Sequence, residues 1–377
     1  MKHSLLPYVC LFITSLLACG CRKNASDVDN MLPSDSISMK YAQLLEMINR
    51  GDYIEAIVKN PRQANGYFGR YALVAHDNNV KTIPSYLTLV RVPLKRSVVY
   101  SSVHTAALCE LNAVDCIVGV ADAAFYTPGD TISSMLRHGK ITDIGSYTSP
   151  SIEKIIDLES DALLLSAYEN TNFGGIERTG VPIIFMADYL ETTPLGRAEW
   201  IKFIGKLYGI QDAADSIFND VCHRYESLKN MADASQRQRP KILTERPYSG
   251  VWYVPGGDSY MAKMLDDAGS AYPWADEHSA GSLPLDEAKV IERAYDADIW
   301  LIKDNIDHST SSLLAAVPHA KAFDAFPKNV YICNTDSTSI FRDIAFHPEK
   351  ILSDFVTIFH PDILPDNHLN YYKPLAQ

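Results

Sequence analysis

Residues 97–120 read S-V-V-Y-S-S-V-H-T-A-A-L-C-E-L-N-A-V-D-C-I-V-G-V, and this stretch decides the fold. Ser97 to Ser101 predicts a short strand, Thr105 to Leu111 a helix, and Cys116 to Val120 a second strand. Unbroken apolar runs, rather than alternating ones, mark strands covered on both faces. The alternation continues with a helix over Ser151–Leu158 and strands over Ala162–Ser166 and Val181–Met186. It resumes with strands over Lys241–Thr244 and Val251–Val254, and helices over Ser259–Ala268 and Leu285–Ala294. Strands over Asp298–Lys303 and Asn329–Asn334 and a last helix over His347–Phe359 complete it. In between, two apolar stripes at helical spacing run from Arg197 to Met231, separated at Gly209. The pattern predicts an α/β protein of two lobes joined by a helical segment. In such sheets ligands bind beyond the carboxyl ends of the strands, so the loops after each strand are the ones to watch.

The N-terminus carries a different signal. Lys2 and His3 precede an apolar run from Leu5 to Ala18, too short for a membrane span but suited to a secretory signal. It ends Leu16-Leu17-Ala18-Cys19-Gly20-Cys21, which resembles the lipobox of bacterial lipoproteins. Cys19 is then the lipidated residue, with Cys21 the alternative. Acyl chains contribute about 0.8 kcal/mol per buried methylene, so several together anchor a protein firmly in a bilayer. The Asn-, Ser- and Asp-rich stretch that follows has the composition of a tether. Tyr41, Leu44, Leu45 and Ile48 then stand at helical spacing and predict a helix over 40–50. Tyr53–Lys59 and Arg70–His76 predict paired strands. The expected organisation is a signal peptide over 1–18, a tether over 19–39 and a helix and β extension over 40–94. An α/β lobe over 95–196, a helical linker over 197–235 and a second lobe over 236–377 follow.

The 377 residues carry a formal net charge of -12, which argues against a nucleic-acid partner. No Walker A, GxGxxG, GxSxG or HExxH motif occurs, and Ser102 with His104 has no placed third member, so an enzyme is not expected. No cofactor is expected either. The 11 His are scattered, which disfavours a zinc-import protein. Of seven Cys, the four beyond the signal region (Cys109, Cys116, Cys222 and Cys333) form no dense framework and read as buried free thiols.

Five stretches together resemble the substrate-binding proteins of the iron-siderophore, haem and cobalamin ABC importers. They are 101–120, I-T-D-I-G-S-Y-T-S-P-S-I-E-K-I-I-D-L-E-S-D-A-L-L-L (141–165), G-V-P-I-I-F-M (180–186), L-D-D-A-G-S-A-Y-P-W (265–274) with L-P-L-D-E-A-K-V-I and D-A-D-I-W-L-I after it, and H-P-E-K-I-L-S-D-F-V-T-I-F-H-P-D-I-L (347–364). The last is similar to the C-terminal helix of Bacteroidetes-type members. The resemblance implies two Rossmann-like lobes joined by a long rigid helix, here 211–233, the class III periplasmic binding protein fold. It implies a monomer that captures a metal chelate (corrinoid, ferric siderophore or haem) and delivers it to an inner-membrane permease and its ATPase. An acidic run just after the Cys would suggest surface export, and Arg22-Lys23-Asn24 lacks one, so the expected location is the periplasmic side of a Gram-negative envelope. A structural lipoprotein with a degenerate cleft is the competing reading.

The resemblance also assigns roles. Glu153 in P-S-I-E-K-I and Glu287 in P-L-D-E-A-K-V match the family's two docking carboxylates, which meet permease arginines. Bidentate pairing gives such contacts geometry as well as energy. Either may instead only complement its helix N-terminus. Tyr126, Tyr147 and Tyr168 follow strands or motif loops, and their faces suit a flat, partly apolar corrin or porphyrin; with 21 Tyr in the chain, ordinary loop placement is the alternative. Trp252, Tyr253, Tyr272 and Trp274 form either the opposite wall or lobe-two core. Ser102 and His104 follow the first strand, and His104 either reaches a chelate's metal or only hydrogen-bonds. Arg246 and Arg342 suit an anionic ferric chelate or structural ion pairs.

Overall fold

The computed structural model describes residues 35–37, 39–126, 129–167, 173–235 and 238–377. Asp35–Gln377 form one unit. The predicted signal, Cys19, Cys21 and Tyr168 lie outside the described residues.

A five-stranded sheet comes first. Its strands are β1 (Asp35–Ile37), β2 (Leu45–Asn49), β3 (Ile54–Lys59), β4 (Tyr67–Ala75) and β5 (Thr88–Val92), in that spatial order. All pairings are antiparallel except β4 with β5. The helix expected over 40–50 is therefore not formed. The reason lies far away in sequence. The amides of Lys40, Tyr41 and Ala42 donate to the Glu199 carboxylate at 2.7–3.0 Å, and those of Gln43 and Leu44 donate to Glu191 at 2.9–3.1 Å. Both carboxylates are buried. These distant acceptors take the amides and hold the chain extended, overriding a weak local preference. On β4, the Tyr71 ring lies over Gly69, where a Cβ would strike its hydroxyl. The Tyr71 hydroxyl in turn accepts from the Phe185 amide at 2.8 Å.

Lobe one contains β6 (Ser97–Val99), α1 (Ser102–Glu110), β7 (Ile117–Val120), α2 (Thr131–Arg137) and β8 (Thr142–Asp143). A short hairpin of β9 (Gly145–Ser146) and β10 (Ser149–Pro150) leads into α3 (Ile152–Asp157), β11 (Ala162–Ser166) and β12 (Ile183–Met186). The main sheet runs β12-β11-β6-β7-β8 and is wholly parallel. Strands β7 and β11 are buried at every position, as their unbroken apolar sequences require. The chain leaves β6 toward β7 and returns to the other side at β11. That reversal opens a crevice at the carboxyl ends of β6 and β11. Phe185 lies on β12, so the Tyr71 bond caps an amide of this sheet's outer strand.

Helices α4 (Pro194–Ala198), α5 (Ile201–Tyr208) and α6 (Gln211–Asp233) follow. At 23 residues, α6 is about 34 Å long. It buries Ala214, Phe218, Val221 and Tyr225 on one stripe, and the Tyr225 hydroxyl donates to Asp267 of lobe two at 2.9 Å.

Lobe two contains β13 (Ile242–Thr244), β14 (Pro247–Tyr248), β15 (Val251–Pro255), α7 (Tyr260–Asp267), β16 (Ser282–Leu285) and α8 (Glu287–Ala294). It continues with β17 (Ile299–Asp304), α9 (Thr310–Ala316), β18 (Val330–Asn334), α10 (Ile340–Asp343), α11 (Pro348–Phe359) and β19 (Tyr372–Pro374). One sheet runs β13-β17-β18-β19 and is parallel except at β19; β14-β15-β16 form an antiparallel ribbon. Cys109, Cys116, Cys222 and Cys333 are free thiols. Among the described residues no helix is long and apolar enough to cross a membrane.

Candidate functional site

The carboxyl ends of the lobe-one strands frame a hollow of about 180 Å³. Tyr100, Ser101 and Ser102 follow β6, Asp122 and Phe125 follow β7, and Ser166 ends β11. Ser101 caps α1, its hydroxyl accepting from the Val103 amide. Asp122 sits at φ +48°, a left-handed conformation costly for a residue with a side chain. Its carboxylate accepts from the Tyr147 amide at 3.2 Å. The Tyr147 hydroxyl donates to the Ser166 carbonyl at 2.8 Å, and its ring meets Tyr100 edge-on. Tyr126 lines the same hollow but is largely buried, with its hydroxyl 3.3 Å from that of Thr105; burial pushes its pKa up to about 12.

The lobe-two hollow, about 490 Å³, lies beyond β13 and β17. Its wall includes Glu245, Arg246, Tyr248, Tyr253, Tyr260, Lys303, Asp304 and Phe341. Glu245, directly after β13, is also left-handed, at φ +64°. Its carboxylate pairs with the Lys303 ammonium. Burial works against that charge, but Glu245 overrules it and raises the Lys303 pKa. Arg246 pairs with Asp304, which also lies 2.6 Å from His308 Nε2. Burial opposes the Asp304 charge, yet Arg246 and His308 hold its carboxyl below the usual range. Two contacts join the lobes, and a third ties α4 to lobe two. Arg342 pairs with Asp130 of lobe one, His347 Nε2 lies 2.7 Å from Glu110, and the Arg197 guanidinium stands 5.0 Å from the Tyr260 ring centre.

The structure thus brings Ser102, Tyr126 and Tyr147 together on one wall and Arg246 and Tyr253 on the other. Three expectations change. His104 is 1% exposed, with Nε2 bonded to Asp188 at 3.0 Å; Asp188 also takes Arg197. The first turn of α1 points this side chain into lobe one, so it cannot ligate a metal in the cleft. Trp252 is fully buried, stacks on Trp300 and donates to the Thr244 carbonyl at 2.9 Å. Side chains alternate along β15, so Trp252 points inward and Tyr253 outward. Tyr272 and Trp274 are also buried, packed on each other behind the ribbon, with the Tyr272 hydroxyl on the Pro255 carbonyl. Arg342 is not a wall residue but an ion-paired link between lobes. Glu153 is exposed in the first turn of α3, and Glu287 opens α8 with 29% of its side chain exposed, 3.3 Å from His319.

Sequence reasoning missed Phe125, Tyr248, Tyr260, Phe341, Glu245 and the Lys303–Asp304 pair. The signal for three of these was present: Glu245 and Lys303–Asp304 stand at the carboxyl ends of predicted strands. Tyr248 ends the two-residue β14 and Phe341 lies in the four-residue α10, elements too short for a periodicity to mark.

A family model described as periplasmic binding protein matches residues 98–325. Lipoprotein MJ0878 of the archaeon Methanocaldococcus jannaschii is 25% identical over 294 residues, covering 75% of this chain and 69% of the relative. CeuE of Helicobacter pylori, solved with Ni-His, superposes with TM-score 0.58 at 15% identity over 82% of this chain and 90% of its own. The periplasmic haem-binding protein HutB of Vibrio cholerae superposes with TM-score 0.56 at 17% identity, over 71% and 100%. At these identities the two structural likenesses are likenesses of fold. With two parallel-sheet lobes, a long connecting helix and a family match over most of both lobes, this chain belongs to the periplasmic binding protein family and is a substrate-binding protein, not an enzyme.

Proposed function

We propose that this protein captures a metal chelate, a corrinoid before a ferric siderophore or haem, and delivers it to an ABC permease. The observation that carries the reading is where exposed aromatics collect. Phe125, Tyr248, Tyr253 and Phe341 are 46–78% exposed, and all four line the cleft. Exposed rings in such a cluster are costly unless something covers them, and their faces suit a macrocycle. HutB of Vibrio cholerae, a periplasmic haem-binding protein of the same fold, supports a macrocyclic ligand class. Exposed Glu153 and part-exposed Glu287 open helices in opposite lobes, which suits docking to two permease arginines. The lipobox at Cys19, or Cys21, would tether the chain on the periplasmic side of a Gram-negative envelope. MJ0878 is itself a lipoprotein, though archaeal.

Calorimetric titration with cyanocobalamin, haemin and a ferric catecholate tests the capture. One-to-one binding that weakens at least about tenfold, or 1.4 kcal/mol, in Tyr147→Ala is expected. Silence with all three probes refutes it. The Glu153→Ala, Glu287→Ala double variant should lose uptake in cells while keeping ligand affinity, and normal uptake by it would remove the docking assignment.

A further inference from the structure

The charges lining the cleft are paired with one another. The walls carry two basic side chains, Arg246 and Lys303, against three acidic ones, Asp122, Glu245 and Asp304, a formal balance of 2 − 3 = −1. Neither base is free. Lys303 is held by Glu245 and Arg246 by Asp304. Arg342, at the cleft's edge, is held by Asp130 of the opposite lobe. An anionic ligand would give up its hydration and find each cation already neutralised, so the cost of desolvation would go uncompensated. The exposed rings act in the same direction, because an aromatic face is the negative end of its quadrupole and attracts cations. The chain's net charge of -12 adds a long-range bias of the same sign. The Glu245 carboxylate is delivered from a left-handed backbone, a conformation that persists only where the surroundings enforce it.

We infer that Glu245 and Asp304 are specificity-determining residues that make this cleft select uncharged or cationic chelates over polyanionic ones. The inference rests on the capture reading above and deepens it. Anionic selectivity would need Lys303 and Arg246 unmasked, and removing either carboxylate unmasks one of them.

The test uses the full-length protein in detergent, titrated at low and high salt with cyanocobalamin, haemin and a ferric tris-catecholate. Cyanocobalamin should be preferred over the catecholate by about 100-fold or more. Its affinity should change by less than about threefold with salt, because little of its binding is Coulombic. Glu245→Gln and Asp304→Asn should each shift the preference toward the catecholate by about tenfold. A wild-type protein that prefers the catecholate, with affinity falling as salt rises, overturns the inference and leaves capture standing. So does an unmoved preference in both variants when their melting matches wild type. If the variants fail to fold, wild-type preference and salt dependence decide alone. Binding of none of the probes defeats the capture reading and this inference with it.

Discussion

His347 makes the contact between lobes that pH should break. Its Nε2 lies 2.7 Å from Glu110 at the end of α1, and its Nδ1 lies 3.1 Å from Glu349 in the first turn of α11. Burial opposes a charge on the ring, but the bonds to Glu110 and Glu349 overrule it and lift the pKa from 6.5 to about 9. The folded protein therefore binds this proton more tightly than the unfolded chain does. The resulting stability is fully present below about pH 6.5 and is lost as pH rises through about 9. A lift of about 2.5 pKa units corresponds to about 3 kcal/mol. Glu110 is 36% exposed, and solvent screening reduces the expected loss to about 1–2 kcal/mol. Urea denaturation followed by tryptophan fluorescence, repeated from pH 6 to pH 10, measures it. Wild type should lose about 1–2 kcal/mol more across that window than His347→Asn, whose side chain cannot titrate. Parallel pH profiles for the two proteins would show that the His347 proton does not hold the lobes together, and the reasoning would fail.

Two further expectations concern stability. Glu199→Ala removes the acceptor of three backbone amides and should cost about 3 kcal/mol or more; limited proteolysis should then cut near residues 39–44, where wild type resists. Trp252→Ala should cost about 3–5 kcal/mol, because it empties a site packed against Trp300 and Phe323. Its neighbour Tyr253, 46% exposed, should cost less than about 1 kcal/mol on the same change and appear in ligand affinity instead. Thermal melts of the two variants separate the inward residue from the outward one.

That last pair shows where sequence is informative. Strands such as Ala162–Ser166 were legible because burial on both faces leaves only one kind of residue possible at each position. The long helix over Gln211–Asp233 was legible because its apolar stripe repeats for six turns. On β15 the information halves: W-Y says one ring is in and one is out, but parity is set by the strand's register against β16, where Trp252 faces Leu285. Residues 40–50 carried a helical spacing that was real but outvoted by Glu191 and Glu199, about 150 residues away. No local reading contains that contact.

The same distinction explains the cleft. Position after a strand follows from topology, so Ser102, Tyr147 and Arg246 were legible as wall residues. Whether a charge at such a position is available to a ligand depends on its partner, and partners here come from other segments. Arg246 takes Asp304, 58 positions on, and Arg342 takes Asp130, 212 positions back. Read alone, the two arginines invite an anion. Read with their carboxylates, they offer none a counter-charge, and of the two readings the sequence left open the ion pairs are the ones formed. The aromatic rings keep their meaning in both readings, because a ring face needs no partner to be available. The ligand class proposed for this cleft thus rests first on the rings, and only second, through long-range pairs, on the charges.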